Sequence, residues 1–388
     1  MKVDVVVVGA RVAGAATALL LARAGARVLV VDRGAYGTDT VSTHALMRGG
    51  VLQLHRWGVL PALVSAGTPA VRSTTFGYTH ENVRVDIEPK YGVEALYAPR
   101  RVLLDGILSA AASESGAEVT YGVRMEDVIR DANGRVRGIT ASSNGTTIQI
   151  DADLVIGADG MYSTTATRVG AGTIVQGRHA TGTLYSYWDS VPADGYQWVF
   201  RAHGSIGAIP TNGGTCVFVS IPAHRFREEV HGNPTAAYRR LVREVSPPFA
   251  DHLESATQLE PVHGFGGLPG FIKRGSGMGW ALVGDAGYFK DPLTAHGITD
   301  ALRDAELLAR AVLAGTDAAF AEYEATRLSL SQRLLEVTDD IASFAWTDAT
   351  LQNLHREFSR EMSREVKYLA SLEPLSCPSP SANALHAV

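Results

Sequence analysis

At 388 residues, 46% of them hydrophobic and 19% charged, the chain is long enough for two domains with a sizeable core and too apolar to be disordered. A formal net charge of -5 without a dense basic run argues against a nucleic-acid partner. Its two cysteines, Cys216 and Cys377, lie too far apart to suggest a disulfide framework or a cysteine-rich metal site. A reducing cytoplasm is the expected setting, and no metal is expected, since the 12 histidines show no pair at helical ligand spacing with a carboxylate.

The first element is an apolar stretch from Val3 to Val31 that Asp4, Arg11, Arg23 and Arg27 interrupt. Its longest uncharged run falls short of the ~20 residues a membrane span requires, so no membrane partner is expected. It reads instead as strand, tight turn, helix and parallel strand. Val5 to Val8 lead into Gly9-Ala10-Arg11-Val12-Ala13-Gly14, an Ala/Leu-rich stretch follows, and Val28 to Val31 end at Asp32. Gly9 permits the sharp turn, and Gly14 permits close packing of helix on sheet. An anionic pyrophosphate suits the helix N-terminus, and Asp32 is placed to accept from ribose hydroxyls. Arg11 holds the middle glycine position; its guanidinium can turn outward or contact phosphate.

After a loop over 34–43, a helix is expected over about 45–57, with Leu46, Gly50, Leu54 and Trp57 on one face. Thr74 to Thr79 and Val83 to Ile87 suggest a hairpin. A second helix, 101–113, leads to a strand, 118–121. The Asn133-Gly134 and Asn144-Gly145 turns join three strand-like runs, because both central residues of a type I′ turn need positive φ. The last run ends in Leu154-Val155-Ile156-Gly157-Ala158-Asp159-Gly160, an apolar strand and an acidic turn. Strands follow at 183–189, 196–201, 205–209 and 215–221, then a helix at 235–245 and a strand at 258–265. This antiparallel sheet is suited to wall a substrate cavity, with Tyr185, Tyr187, Trp198 and Phe200 as candidate lining residues.

The strand Trp280 to Val283 delivers Gly284-Asp285, and Asp291-Pro292-Leu293-Thr294-Ala295-His296-Gly297-Ile298 opens a helix whose apolar residues recur at helical spacing. Two or three helices over 317–372 could cap the site or form a homodimer contact, with packing onto the parent domain the simpler outcome. The end, 374–388, is rich in Pro, Ser and Ala and is expected to be loose. These elements divide into a discontinuous cofactor domain (1–73, 95–175, 272–345), a substrate domain (74–94, 176–271) and a C-terminal helical segment with its tail (346–388).

Taken together, the Val3–Asp32, Leu154–Gly160 and Trp280–Asp300 segments resemble the flavoprotein monooxygenases of the para-hydroxybenzoate hydroxylase type, a superfamily that includes geranylgeranyl reductases and flavin-dependent halogenases. The likeness runs from Met1 to about Tyr323. It implies an α/β fold: a Rossmann-like FAD-binding domain with a β-meander, an antiparallel-sheet substrate domain and C-terminal helices. It also implies FAD as cofactor and NADH or NADPH as reductant. By this resemblance Asp285 holds the ribityl or pyrophosphate region, Gly297 and Ile298 offer N–H groups to the flavin N1/C2 edge, and Asp159 and Gly160 lie near the pyrophosphate. Arg33, Arg48, Arg101, Met125 and Pro292 join the cofactor set, with Met125 at the adenine. The implied activity is transfer of one oxygen atom, through a C4a-hydroperoxyflavin, to a small aromatic or polyketide/terpenoid-like substrate. His44 and His296, flanking the expected flavin position, are the candidates for managing protons. The alternatives are a reductase of the geranylgeranyl type, whose cysteine loop after the ribose acid has no counterpart before residue 216, and a non-catalytic flavin-binding redox protein.

Overall fold

The computed structural model describes residues 2–191 and 193–375. Its first sheet runs in the order Ser276–Gly277, Trp280–Leu282, Thr146–Gly157, Lys2–Val8, Val28–Asp32, Glu118–Tyr121, parallel throughout except for the first, short strand. Val5 to Val8 and Val28 to Val31 are buried, as a parallel strand covered on both faces requires. The helix Val12–Arg23 packs its Ala- and Leu-rich surface on this sheet, against the helices Arg101–Glu114 and Gly297–Ala314.

The long strand Thr146–Gly157 serves both the parallel and the antiparallel part of this eight-stranded sheet. Residues Thr146 to Asp151 pair antiparallel with the meander strand Val136–Ser143, which pairs in turn with Arg124–Arg130, while Asp151 to Gly157 run parallel to Lys2–Val8.

The second sheet is ordered Thr257–Gln258, Thr181–Asp189, Gly214–Pro222, Gly204–Thr211, Tyr196–Arg201, Ser73–Gly77, Asn82–Asp86, with His263–Phe265 also on Thr181–Asp189. Side chains alternate across it with the period of two that a strand imposes. Leu184 and Trp188 pack on one face under the helices Pro234–Val245 and Pro247–Ser255. Tyr185 and Tyr187 belong to the other face, with Trp198, Phe200 and Phe218, toward the C-terminal helices. A three-stranded sheet of Thr173–Gln176, Phe271–Lys273 and Tyr288–Phe289 lies where the chain passes between the two.

Asp317–Ala342 and Asp348–Ser371 are the C-terminal helices, opened by Thr316 and Thr347, whose hydroxyls accept from Ala319 N and Thr350 N. The second packs on the first and on Arg48–Arg56. Among the described residues no helix is long and apolar enough to cross a membrane.

Three expectations need correction. The helix expected from about residue 45 starts at Arg48, because His44 takes a left-handed φ of 67° and Leu46 bridges to Tyr97 in extended form. Ala223–Glu229 and Pro247–Ser255 are helices that the sequence reading passed over. Residues 258–265 do not form one strand: two short ones, Thr257–Gln258 and His263–Phe265, flank a break. Cys377 and tail residues 376–388 lie outside the described residues.

Candidate cofactor and active site

A cavity of about 380 Å³ crosses the carboxyl ends of the parallel strands, the position where open α/β sheets bind ligands. Its lining follows the strand order: Val123 to Met125 beyond Glu118–Tyr121, Asp32 to Gly34 beyond Val28–Asp32, Gly9 to Ala13 beyond Lys2–Val8, Ala158 to Tyr162 beyond Thr146–Gly157, and Asp285 beyond Trp280–Leu282. Five adjacent strands at ~4.8 Å spacing span roughly 19 Å, which suits a dinucleotide better than a mononucleotide.

The glycine turn is built for close approach. Gly9 has φ of 110°, and a Cβ there would lie 2.4 Å from the Ala158 carbonyl oxygen; at Gly14 it would lie 1.8 Å from the Gly9 carbonyl oxygen. The helix they open has no side-chain cap and no acid in its first turn; the Asp105 carboxyl faces the Val12 N–H, and the turn beyond it suits an anionic ligand. Arg11 lines the cavity with its guanidinium turned to the Thr40 hydroxyl at 2.5 Å. Asp32 accepts from Ala10 N (2.8 Å) and Gly34 N (2.7 Å), tying together the turns on either side of it. Asp32→Ala is expected to remove a charge-assisted bond from a cofactor hydroxyl, worth ~1.5 to 3 kcal/mol. FAD titration should show the dissociation constant rising about 10- to 100-fold; an unchanged value would remove Asp32 from the cofactor site.

Asp159 accepts from the Ser163 hydroxyl, Thr165 N and the Thr165 hydroxyl, which fixes the turn carrying Gly160 (φ 82°). Arg101 donates to Asp105 from Nη2 to both carboxylate oxygens (3.0 and 3.2 Å) and from Nε to Oδ1 (3.3 Å), and burial raises the Asp105 carboxyl pKa. Arg33, Met125, Pro292, Gly297 and Ile298 all line the same cavity. Asp285 is also there, its carboxyl pushed up to about 6 by burial, against the pull of Arg101 and Lys290. The Gly297–Ala314 helix likewise opens without a side-chain cap.

A second cavity, of about 600 Å³, lies between the aromatic face of the second sheet and the helices Arg48–Arg56 and Asp348–Ser371. The two cavities share one wall. Pro292, Ala295, Gly297 and Ile298 face the first, whereas Leu293, Thr294 and His296 face the second. Asp291 clamps this wall to the sheet by accepting from Thr181 N (2.6 Å) and the Thr181 hydroxyl (2.7 Å).

The candidate aromatics divide between the cavities: Tyr185 lines the first, Trp198 and Phe200 the second, and Tyr187 neither. Arg48 also lines the second cavity and not the first. Its guanidinium donates to Glu88 O (2.7 Å) and Val93 O (3.2 Å), because the later helix start carries it to that side.

His44 lines the first cavity. Burial, then Arg100 and Arg101, push its pKa down to about 3, while burial holds the Tyr187 hydroxyl protonated. The Tyr187 hydroxyl therefore donates to His44 Nε2, which leaves the proton of the neutral ring on Nδ1. Arg100 sits 3.6 Å over the Tyr187 ring and pairs with Glu260 at 2.8 Å, holding the tyrosine in place.

His296 stands in a fully buried charged cluster. Its Nδ1 is 3.1 Å from Asp300 and its Nε2 3.1 Å from Glu365, and Arg303 joins Asp300 (3.0 Å), Asp304 (2.7 Å) and Glu365 (2.8 Å). Lys290 pairs with Asp300. Burial pushes the His296 pKa down to about 4, and His296, followed by Arg303 and Lys290, holds the Glu365 carboxyl below its ordinary value against its own burial. The sequence reading did not foresee this grouping of His296, Asp300 and Glu365, since Glu365 arrives from a distant helix. It also missed Lys290, Arg100 and the contribution of His355 and Phe358 to the second cavity, none of which belongs to a local motif.

A dinucleotide cavity over parallel strand ends, facing an aromatic sheet across a shared wall, defines an FAD-dependent oxidoreductase of the para-hydroxybenzoate hydroxylase type. The comparison with known families agrees: residues 2–338 match the FAD binding domain, and the chain belongs to that family. It is 30% identical over 329 residues to digeranylgeranylglycerophospholipid reductase of Methanothrix thermoacetophila, covering 81% of this chain and 80% of that one. It is 25% identical to 6-methylpretetramide 4-monooxygenase of Streptomyces rimosus, covering 78% and 73%. Among solved structures, P. aeruginosa PqsL in complex with 2-aminobenzoylacetate shares the fold with a TM-score of 0.77 at 21% identity, covering 94% of this chain and all of that one.

Proposed function

We propose that the protein is an FAD-dependent monooxygenase, reduced by NADH or NADPH in a reducing cytoplasm, that oxygenates a small organic molecule held in the second cavity. The carrying observation is the wall 292–298, which sets an apolar, aromatic pocket directly against the cofactor cavity. Bound FAD supplies two-electron transfer and, once reduced, reaction with oxygen. The uncapped starts of the helices Val12–Arg23 and Gly297–Ala314 receive its negatively charged groups. Trp198, Phe200, Phe76 and Phe358 hold the apolar body of the substrate and exclude water. Arg48, Lys90, Arg356 and Arg360, on the same cavity, accommodate a polar or anionic end. The neutral His44, its tautomer set by Tyr187, borders the cofactor cavity.

A reductase acting on a carbon–carbon double bond is the second reading, favoured by the digeranylgeranylglycerophospholipid reductase relative. Against it stands the lack of any cysteine in the linings of the two cavities, the buried Cys216 included. The FAD-loaded protein, given NADH or NADPH in air without substrate, should consume oxygen and release hydrogen peroxide. With a substrate, label from oxygen-18 gas should enter the product. Anaerobic saturation of an alkene, with no label incorporated in air, would establish the reductase instead.

A further inference from the structure

We propose that Lys290 is the proton-exchanging group of the cofactor cavity, taking up a proton when FAD is reduced and releasing it on reoxidation, with His296 as its positioning partner. The inference requires bound FAD but holds for the monooxygenase and the reductase alike.

Lys290 follows the short strand Tyr288–Phe289, is 5% exposed, and lines the first cavity. Its Nζ lies 3.2 Å from His296 Nδ1 and pairs with Asp300. Since His296 lines the second cavity, this contact joins the two through their shared wall.

Charges of both signs surround Lys290, and its burial opposes the carboxylates that favour its charged form. From its own segment Asp285 and the Tyr288 ring face it, from the Gly297–Ala314 helix Asp300, Arg303 and Asp304, and from the Asp348–Ser371 helix Glu365. Arg327, on Asp317–Ala342, stands behind Asp304 at 4.0 Å. The arginines do not release protons. Burial, followed by Arg303, pushes Lys290 down to about 7, and burial keeps His296 neutral above about 4. Lys290 is thus the basic group of the cluster that changes charge near neutrality, with the Asp285 carboxyl below it at about 6, and a negative charge added beside it raises its proton affinity.

Reduction by a nicotinamide hydride donor or by dithionite gives the cofactor two electrons and one proton and leaves it one negative charge. The second proton passes from solvent to the Lys290 amine, and no bond to the protein forms or breaks. A lysine serving only as a structural counter-ion would stay charged throughout and exchange nothing.

The test is the pH dependence of the FAD midpoint potential in the loaded protein, measured by reductive titration against reference dyes from about pH 6 to 9. Flavin absorbance, read first, establishes that FAD is bound, so a failure of the cofactor reading is seen separately. The wild type should show a slope of two protons per two electrons above about pH 7, where the amine of the oxidised protein is neutral. Lys290→Gln should show one. Lys290→Arg should also show one, while keeping a higher potential than Lys290→Gln at alkaline pH because its charge is permanent. A one-proton slope in the wild type overturns the proposal, as does a two-proton slope that persists in either variant. If Lys290→Gln does not load FAD, the Lys290→Arg slope decides alone.

Discussion

Gly14→Val should abolish FAD binding. A Cβ at this position would lie 1.8 Å from the Gly9 carbonyl oxygen and 3.2 Å from the Ala158 Cβ. The first contact is with backbone, so no side-chain rotation relieves it, and the helix Val12–Arg23 must lift from the strand Lys2–Val8. Overpacking of a tight core costs about 1 to 3 kcal/mol for added methylenes that can be partly accommodated. This site, pressed on both sides, should exceed about 3 kcal/mol. The same displacement moves the helix N-terminus away from the cavity that Gly9, Arg11, Val12 and Ala13 line. Purified Gly14→Val should be colourless and gain no flavin absorbance on incubation with FAD, and its urea midpoint should fall. Wild-type FAD content in this variant would show that the glycine turn does not carry the cofactor.

Glu365→Ala should be the most destabilising single change in the C-terminal helices. It removes the carboxylate that Arg303 (2.8 Å) and His296 (3.1 Å) face inside the protein, leaving a guanidinium buried with one fewer counter-charge. Removing one partner of a buried pair costs about 3 to 5 kcal/mol. Urea unfolding should show that loss, whereas Glu365→Gln, which retains an acceptor oxygen of the same shape, should lose less. The second cavity should open as well, since the helix carrying Glu365 also supplies His355 and Phe358. Equal stabilities of the wild type and Glu365→Ala would mean that water already reaches the cluster.

Much of the cofactor half was legible because its signals are local. A parallel strand buried on both faces needs an unbroken apolar run, a sharp turn needs Gly9, and helix packing against a strand needs Gly14; each requirement leaves its mark within a few residues of sequence. The second sheet was legible as strands for the same reason. The cavity that each aromatic lines was not: Tyr185, Tyr187, Trp198 and Phe200 share one face, but only the packed sheet sends Tyr185 to one cavity and Trp198 to the other. Arg48 illustrates the same limit, since its segment matches a cofactor-contacting one while the left-handed His44 delays the helix and turns the arginine elsewhere.

By itself, then, the sequence determined the family and the order of the elements that carry Gly9, Gly14, Asp32 and Asp285. Only the tertiary structure decided which side chains meet across the wall 292–298. The difference follows from range. Turn, helix-start and strand signals arise from interactions within one turn or one strand, but the cluster of Lys290, His296, Asp300 and Arg303 is completed by Glu365, 62 residues beyond Arg303. Chain separation on that scale leaves no periodic trace, and the pairing exists only because desolvation inside the folded core makes each buried charge require a partner.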